Sequence, residues 1–563
     1  MHFKISIIIV NKIQTRFTEF SNLIILSLMS LGLLTCSVEP KADKIYINGN
    51  ILSGLVDGKR LKYIATKDNI ILDAGIGSYE HFKASKTKVI DLNNKFVVPG
   101  FMDNHTHFMS GGSLLMSIDL HSVKSKNQFI KLFNSYKKKL NAEEWITGGN
   151  WDHENWGGLL PDKSWIDQFT NKNPVLVSRV DGHMALANSA ALEISGITKD
   201  TPNPVGGVIG KDPKTGIPTG ILKENAIRLV SINIPENSEE KKKRILDTAM
   251  KHAASVGITQ IHDMCSWEDL ETFKKNKNDL TLRIYAIPWY TNWERLIKLI
   301  NEEGAGDDIL RWNGIKGMVD GSLGSRTAWM HRPYLDDRNT SGLLIIDDTL
   351  GFKTMMNAID KYGIQLAVHA IGDLGVRASL HAIEGAQGRS LGRRHRIEHA
   401  QIVHEADFQR FRELGVVASM QPSHATSDMP WAESRVGSER IQGAYAWKRM
   451  LREGIRLAFG SDAPVEDHAP LWGIWAAVTR QDRQGSPVGG WQPQERVTTA
   501  EAIEAFTFGA AYAVHREKDL GRLKPGYQLD LTVMNEDPMV KPNGWAQIQV
   551  IGTMVGGTWT SAM

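Results

Sequence analysis

Two hydrophobic rhythms divide this chain. From Asp43 onward, short apolar runs alternate with polar positions and break at Gly, Asn or Asp, as in "KIYINGNILSG", "YIATKDNIILDAG" and "TKVIDLNNKFVVPG". Alternation of period two between such breaks predicts antiparallel hairpins. A matching strand-rich stretch closes the chain, in "GRLKPGYQLDLTVMNEDP" and "AQIQVIGTMVGGTWT". Chain ends often lie close together, so residues 43–97 and 515–563 are expected to pair into one small β-sandwich.

Residues 98–514 follow the second rhythm. A helical stretch, a glycine and an apolar run recur in "KHAASVGITQIHD", "AIDKYGIQLAVHA", "FRELGVVASMQPS" and "RMLREGIRLAFGSD". Glycine stops each helix, and the unbroken apolar run after it suits a buried parallel strand. In "NSEEKKKRILDTAMKHAASVG", Ser238 is placed to cap the helix and Glu239 and Glu240 fall in its first turn. The repetition predicts an α/β fold, with a (β/α)8 TIM barrel favoured over an open sheet. No glycine-rich phosphate loop follows the first strand, which weighs against a dinucleotide-binding fold. Residues 112 to about 230 break the rhythm with Gly, Pro and Trp, and read as an inserted subdomain or a set of long loops.

Composition narrows the function classes. Of 563 residues, 42% are hydrophobic and 23% charged, and the formal net charge is +3, so nothing points to a nucleic-acid partner. Two cysteines, Cys36 and Cys265, rule out a disulfide framework and a cysteine-based zinc site. Cys36 ends the apolar run "LIILSLMSLGLLTC", which follows Lys4, Lys12 and Arg16. A basic start and a run too short to span a bilayer predict an export signal whose cysteine is lipidated, with an uncleaved anchor as the alternative. Residues 1–40 are therefore expected to lie outside the fold and to hold the protein at a membrane, facing the bacterial periplasm or cell surface.

Candidate chemistry sits at strand ends. "VVPGFMDNHTHFMSGG" places His105 and His107 one residue apart, on one face of a predicted first strand. His369 ends "QLAVHA", His399 ends "RIEH" and Asp462 follows "RLAFGS". In a barrel these ends converge on the active site, and imidazoles with one carboxylate suit zinc and related divalent ions. Lys316, in "GIKGMVDGSLGSRTAW", is a sixth candidate. Buried near a metal, its amine can lose a proton and take up carbon dioxide as a carbamate. Trp151, Trp156, Trp289, Trp329 and Trp431 fall in segments expected to overhang the mouth, which suits an apolar small-molecule substrate.

Taken in order, "PGFMDNHTHF", "NWDHENWGG", "RVDGHMALANSAAL", "GIKGMVDGSLGSRTA", "HAIGD", "RIEHAQ" and "GSDAPVEDHAPLWGI" resemble the amidohydrolase superfamily. The chain is most similar to amidohydrolase family 3, the YtcJ-like group that includes N-substituted formamide deformylases. The resemblance implies a metal-dependent barrel enzyme with a β-sandwich built from both ends. It implies His105, His107, Lys316, His369, His399 and Asp462 as ligands to one or two divalent ions, zinc foremost, with Lys316 at the position of a bridging carboxylated lysine. Asp462 is expected to move the catalytic proton; His183 and Arg326 are expected to help steady an oxyanion, and Asp320 to bind substrate or stand behind the ligands. The implied reaction is hydrolysis of a carbon–nitrogen bond other than a peptide bond. A lactone, carbamate or phosphoester substrate, or a non-catalytic binding role, are the alternatives.

Overall fold

Glycine makes the turn from helix to strand at each of the four predicted repeats. Gly257, Gly363, Gly415 and Gly454 all adopt positive φ, of 91°, 72°, 63° and 73°. At Gly257 an added Cβ would lie 2.6 Å from Thr532 Cγ2, so only glycine fits both the backbone and the space. The helix before it, Glu239–Ser255, is capped by the Ser238 side chain and buries Ile245, Leu246, Ala249 and Met250. The computed structural model describes residues 40–54, 58–138, 140–141, 143–179, 184–205, 207–345, 349–386, 392–540 and 545–562. The predicted signal with Cys36, and His183, lie outside the described residues. Among the described residues no helix is long and apolar enough to cross a membrane.

The strands that follow these turns form a TIM-barrel-type arrangement of mixed α/β content. They are β1 (Phe101–Thr106), β2 (Ile258–Asp263), β3 (Arg283–Ala286), β4 (Gly314–Met318), β5 (Gln365–Ala370), β6 (Arg396–His399), β7 (Val417–Met420) and β8 (Leu457–Phe459). One parallel arc runs β1–β2–β3 and ends on the two-residue strand Leu310–Arg311; a second runs β4 to β8. Single parallel bridges, Thr106 to Ala463 and Trp289 to Lys316, join the arcs at their two seams. Helices pack outside, and the apolar contacts between them and the strands make the largest core.

Among the described residues of the 112–230 segment, strands from Ile118–Asp119 to Pro218–Glu224 form a six-stranded sheet separate from the barrel arcs. Its core is aromatic: Phe129, Phe133, Trp151 and Trp165. Trp151 is thus not at the barrel mouth as expected, but fully buried, with its Nε1 donating to the Val177 carbonyl at 2.9 Å. Indole needs one polar partner and a large apolar cavity, and this aromatic cluster supplies both.

Among the described residues the strands of the two chain ends form one bonded network of eight strands, and residues of both ends share one apolar core. The strand Lys44–Leu52 pairs with Arg60–Lys67 on one edge, and on the other with both Lys88–Asp91 and Phe96–Pro99. One strand therefore belongs to both halves, and Tyr46 on it packs against Met554 of the far end, its Oη 3.7 Å from Sδ. Phe96–Pro99 pairs in turn with Leu531–Met534 from the far end of the chain.

A buried ion pair fastens this sheet to the barrel. Arg283, at the start of β3, donates from Nε to Asp530 Oδ2 at 2.8 Å and from Nη2 to Asp530 Oδ1 at 3.1 Å. Both residues are almost entirely buried. Removing the arginine alone strands a buried carboxylate, which costs about 3–5 kcal/mol in such pairs. Arg283→Met is therefore expected to lower the thermal unfolding midpoint clearly, and Arg283→Met/Asp530→Asn to recover most of the loss. A single variant as stable as the parent protein would remove the pair from the joint.

Candidate metal centre

The seam between β1 and β8 brings distant ligand-type residues together. Asp462 N donates to the His105 carbonyl at 2.7 Å, and His107 N to the Ala463 carbonyl at 2.8 Å. Asp103 Oδ1 accepts from Ser461 N at 2.9 Å and from His105 N at 3.1 Å, stitching both strands from outside. Gly460 makes the approach possible, since a Cβ there would sit 2.5 Å from His105 N. Two residues at the centre take left-handed backbone conformations unusual for their type: His399, with φ 71°, and Asp462, with φ 64°. Such strain tends to be kept where function needs a particular side-chain direction.

The result is a compact donor cluster. One donor atom each from His105, His399 and Asp462 lies within 4.8 Å of the others, and all three residues are buried. His105 Nε2 is 3.5 Å and His107 Nε2 is 3.3 Å from Asp462 Oδ1. The His105 and His399 rings are 4.8 Å apart, and the His399 and His369 rings 4.5 Å. Lys316 Nζ lies 3.3 Å from His105 Nε2. His105, His399 and Asp462 thus form the compact group, and His107, His369 and Lys316 border it.

Each histidine has an acceptor on one ring nitrogen. His105 Nδ1 meets Glu398 Oε2 at 2.5 Å, His107 Nδ1 meets the Met264 carbonyl at 3.1 Å, His399 Nδ1 meets Gln421 Oε1 at 2.8 Å, and His369 Nε2 meets the Gly321 carbonyl at 3.2 Å. An acceptor takes the ring proton and leaves a lone pair on the other nitrogen, which is the state a metal needs. Asp462 is arranged likewise. Its Oδ2 accepts from His424 Nε2 at 3.1 Å, whereas its buried Oδ1 has no hydrogen-bond partner. A buried carboxylate oxygen left without a donor is costly, and a cation is one group that would satisfy it.

Electrostatics keep the donors in usable protonation states. Burial pushes the imidazoles of His105 and His369 down to about 4 and about 3, with the Lys316 ammonium adding to the effect, and holds His399 well below the ordinary value. Burial alone would raise Asp462, but the nearby imidazoles of His105 and His107 and the hydrogen bond from His424 hold it well below the usual carboxylate range. Burial lowers the Lys316 amine to about 8. Burial opposes charge on His424, yet the bond to Asp462 raises it above the ordinary histidine value.

Two other expected residues are engaged elsewhere. Arg326 is half exposed and holds Asp336 through Nε at 3.1 Å and Nη2 at 2.7 Å. Asp320, expected to bind substrate, is fully buried and accepts from the backbone N–H groups of Trp329, Ile371 and Gly372, at 2.8, 2.9 and 2.8 Å. Its carboxylate anchors the turn after β5 and stands behind His369, whose Nε2 is 3.7 Å away. Sequence reading also passed over Glu398, Ser419, Gln421 and His424. The signal was available for the last two, since "ASMQPSH" ends an apolar run in polar residues just as the other strands do.

Comparison with known proteins agrees with this geometry. Residues 88–560 match the Amidohydrolase family. The chain is 35% identical to Protein LONG AFTER FAR-RED 3 of Arabidopsis thaliana, over 92% of this chain and 91% of that one. It is 25% identical to the N-substituted formamide deformylase of Arthrobacter pascens, over 89% of this chain and 93% of that one. A crystal structure of an uncharacterized metal-dependent hydrolase from Pyrococcus furiosus superposes with a TM-score of 0.73 at 30% identity, covering 88% of this chain and 99% of that one.

Glu398 offers a direct test of the centre. It accepts from His105 while Arg396 Nε donates to its other oxygen at 2.7 Å, and both charged residues are fully buried. Partners behind a ligating histidine typically carry about 10–100-fold in metal affinity. Glu398→Gln is expected to weaken binding of added zinc by that factor in a chelator competition. Unchanged affinity would show that His105 needs no such partner.

Proposed function

The chain belongs to the amidohydrolase family, and on that premise we propose that it uses a divalent metal to hydrolyse a carbon–nitrogen bond other than a peptide bond. An amide, a formamide or a cyclic amide carries such a bond. The observation that carries the reading is the unpaired buried Oδ1 of Asp462 facing a set of neutral imidazoles. Nitrogen and oxygen donors without a thiolate fit zinc or a related divalent ion, so the donor set suits the group. His105, His399 and Asp462 would hold the ion, with His107, His369 and Lys316 beside them. A bound divalent cation would supply two things, a lowering of the pKa of water to about 7 and polarisation of the scissile carbonyl.

The chain's own residues do the rest. Asp462 is held ionised, and each carboxylate oxygen has two lone pairs, so Oδ1 can face a cation and a neighbouring water together. It takes the water proton there and returns it to the leaving nitrogen, which departs as a neutral amine. The left-handed backbone at Asp462 and the His424 bond keep that oxygen in place throughout. Lys316 completes the charge balance in this reading. Protonated, it and Arg396 would cancel Glu398 and Asp462, leaving an entering dication uncompensated in a buried site. Carboxylated, it would carry the negative charge the ion requires, and an amine lowered to about 8 is partly free to react with carbon dioxide.

We further propose that the protein works outside the cytoplasm, held through Cys36. The basic start and the apolar run ending at that cysteine support this. Cys36→Ala is expected to move the protein from the membrane fraction to the soluble one; unaltered partitioning would remove the lipid anchor.

Asp462→Asn tests the chemistry. With a panel of N-formyl and N-acyl amines beside lactones and phosphoesters, the parent protein is expected to turn over only the carbon–nitrogen substrates. The variant should keep its fold and lose at least about a hundredfold in kcat, the low end of what proton transfer contributes. Near-parental turnover would assign the proton to another group.

A further inference from the structure

Strand β7 and the turn after it supply no donor to the centre, yet they touch two residues of the buried cluster, His399 and Asp462, and reach the third, His105, through Glu398. Ser419 Oγ donates at 2.5 Å to Glu398 Oε2, the oxygen that also meets His105 Nδ1. Gln421 Oε1 accepts from His399 Nδ1 at 2.8 Å. The Gln421 amide donates from Nε2 to the Ser419 carbonyl at 3.4 Å, which fixes which end faces the histidine. His424 Nε2 donates to Asp462 Oδ2 at 3.1 Å and leaves Oδ1 free. The local sequence explains how one segment reaches three targets. Ser419 and Gln421, two residues apart, project to one side of the extended chain. Pro422 then opens the helix Pro422–Asp428, whose first turn swings His424 over the mouth.

We propose that Ser419, Gln421 and His424 act as one positioning element, which presents the lone pairs of His105, His399 and Asp462 to a divalent cation. The proposal rests on the reading above that these three residues hold the ion. Ser419 holds the carboxylate that takes the His105 proton, Gln421 takes the His399 proton, and His424 occupies the Asp462 oxygen that is not offered. The three contacts set tautomer and direction without adding a ligand, so the pattern is distinct from the donor set itself. Interior packing alone would require no particular donor or acceptor at these positions. Here each polar atom is of the type that leaves the facing ligand with a free lone pair.

The test compares variants of the full chain in metal-free form. Zinc affinity is read by chelator competition, the thermal midpoint of the apo protein by calorimetry, and kcat and KM at saturating zinc. Gln421→Leu and His424→Leu are each expected to lose about 10–100-fold in zinc affinity and to lower kcat with little change in KM. Gln421→Glu keeps an acceptor on His399, and His424→Gln keeps an N–H on Asp462, so both should stay within about threefold of the parent affinity. That rescue separates positioning from bulk, because a purely structural role would not distinguish Gln from Leu at His424 once apo midpoints agree. Parental affinity in both leucine variants, or equal loss in His424→Gln and His424→Leu, would overturn the proposal. A parent protein that retains no stoichiometric divalent ion would instead overturn the reading beneath it.

Discussion

A guanidinium sealed inside the barrel is the constraint on which the centre depends. Arg396 is fully buried and its Nε donates to Glu398 at 2.7 Å. Further bonds run to Ser419 Oγ at 3.2 Å, to His262 Nδ1 at 3.0 Å and to the Asn104 carbonyl. A buried carboxylate without such a partner would take up a proton. Burial does press Glu398 that way, but Arg396, and then His105, hold it well below the usual range. The ionised Glu398 fixes the proton on His105 Nδ1, and His105 Nε2 is thereby left as a donor. Charge, tautomer and donor atom form one chain of consequence that begins under the site, not in it. The usual filling of such barrels is branched aliphatic side chains. The polar layer beneath this mouth replaces that packing with directional bonds, and each bond leaves its partners less free to rotate.

The second constraint is backbone direction. Donors from β1 and β8 meet because the seam between those strands is closed by short backbone bonds and by Asp103, not by a long ladder. A single bridge at Thr106 and Ala463 lets the chain turn its side chains inward within one residue of the strand end. The left-handed φ at His399 and Asp462 serves the same end, and the cost of each is of order 1–3 kcal/mol. Bonds from neighbours offset that cost only when the ligands point inward, so strain and orientation are coupled.

This explains what the sequence could and could not disclose. His105, His107, His369, His399 and Asp462 could be picked out because each stands at or just past the end of a strand, and barrel strands deliver their ends to one place, whereas Lys316 lies inside β4. Glu398 could not be picked out, because strict alternation would set it on the opposite face from His399. The left-handed turn at His399 defeats alternation and sends both inward. Asn104 and His105 show the same failure, where the register of β1 against β2 shifts between Ile261 and Asp263. The two chain ends pair as expected, but composition cannot reveal that Lys44–Leu52 would serve both halves of one sheet. Arg326 and Asp320 carry chemistry that would suit substrate, yet an aspartate ten residues on and three backbone N–H groups claim them. Partner choice among polar groups is a tertiary fact.

The choice of substrate belongs to the mouth, not to the centre. A cation, an activated water and Asp462 would attack an amide or a lactone carbonyl by the same steps, so discrimination requires contacts to the rest of the molecule. The segment after β4 borders the centre. It touches the centre where the Gly321 carbonyl meets His369, and its Trp329 backbone is pinned by Asp320. Its far side is clipped to the helix Ala432–Arg440, by Arg435 on the carbonyls of Leu323 and Gly324 and by Arg440 on those of Arg332 and Pro333. Trp431, at the head of that helix, carries Arg435 stacked 4.0 Å over its ring. A loop tied at both edges presents a fixed wall beside His369. The donor geometry can therefore stay constant while the wall varies, which separates the chemistry of the reaction from the identity of what is cleaved.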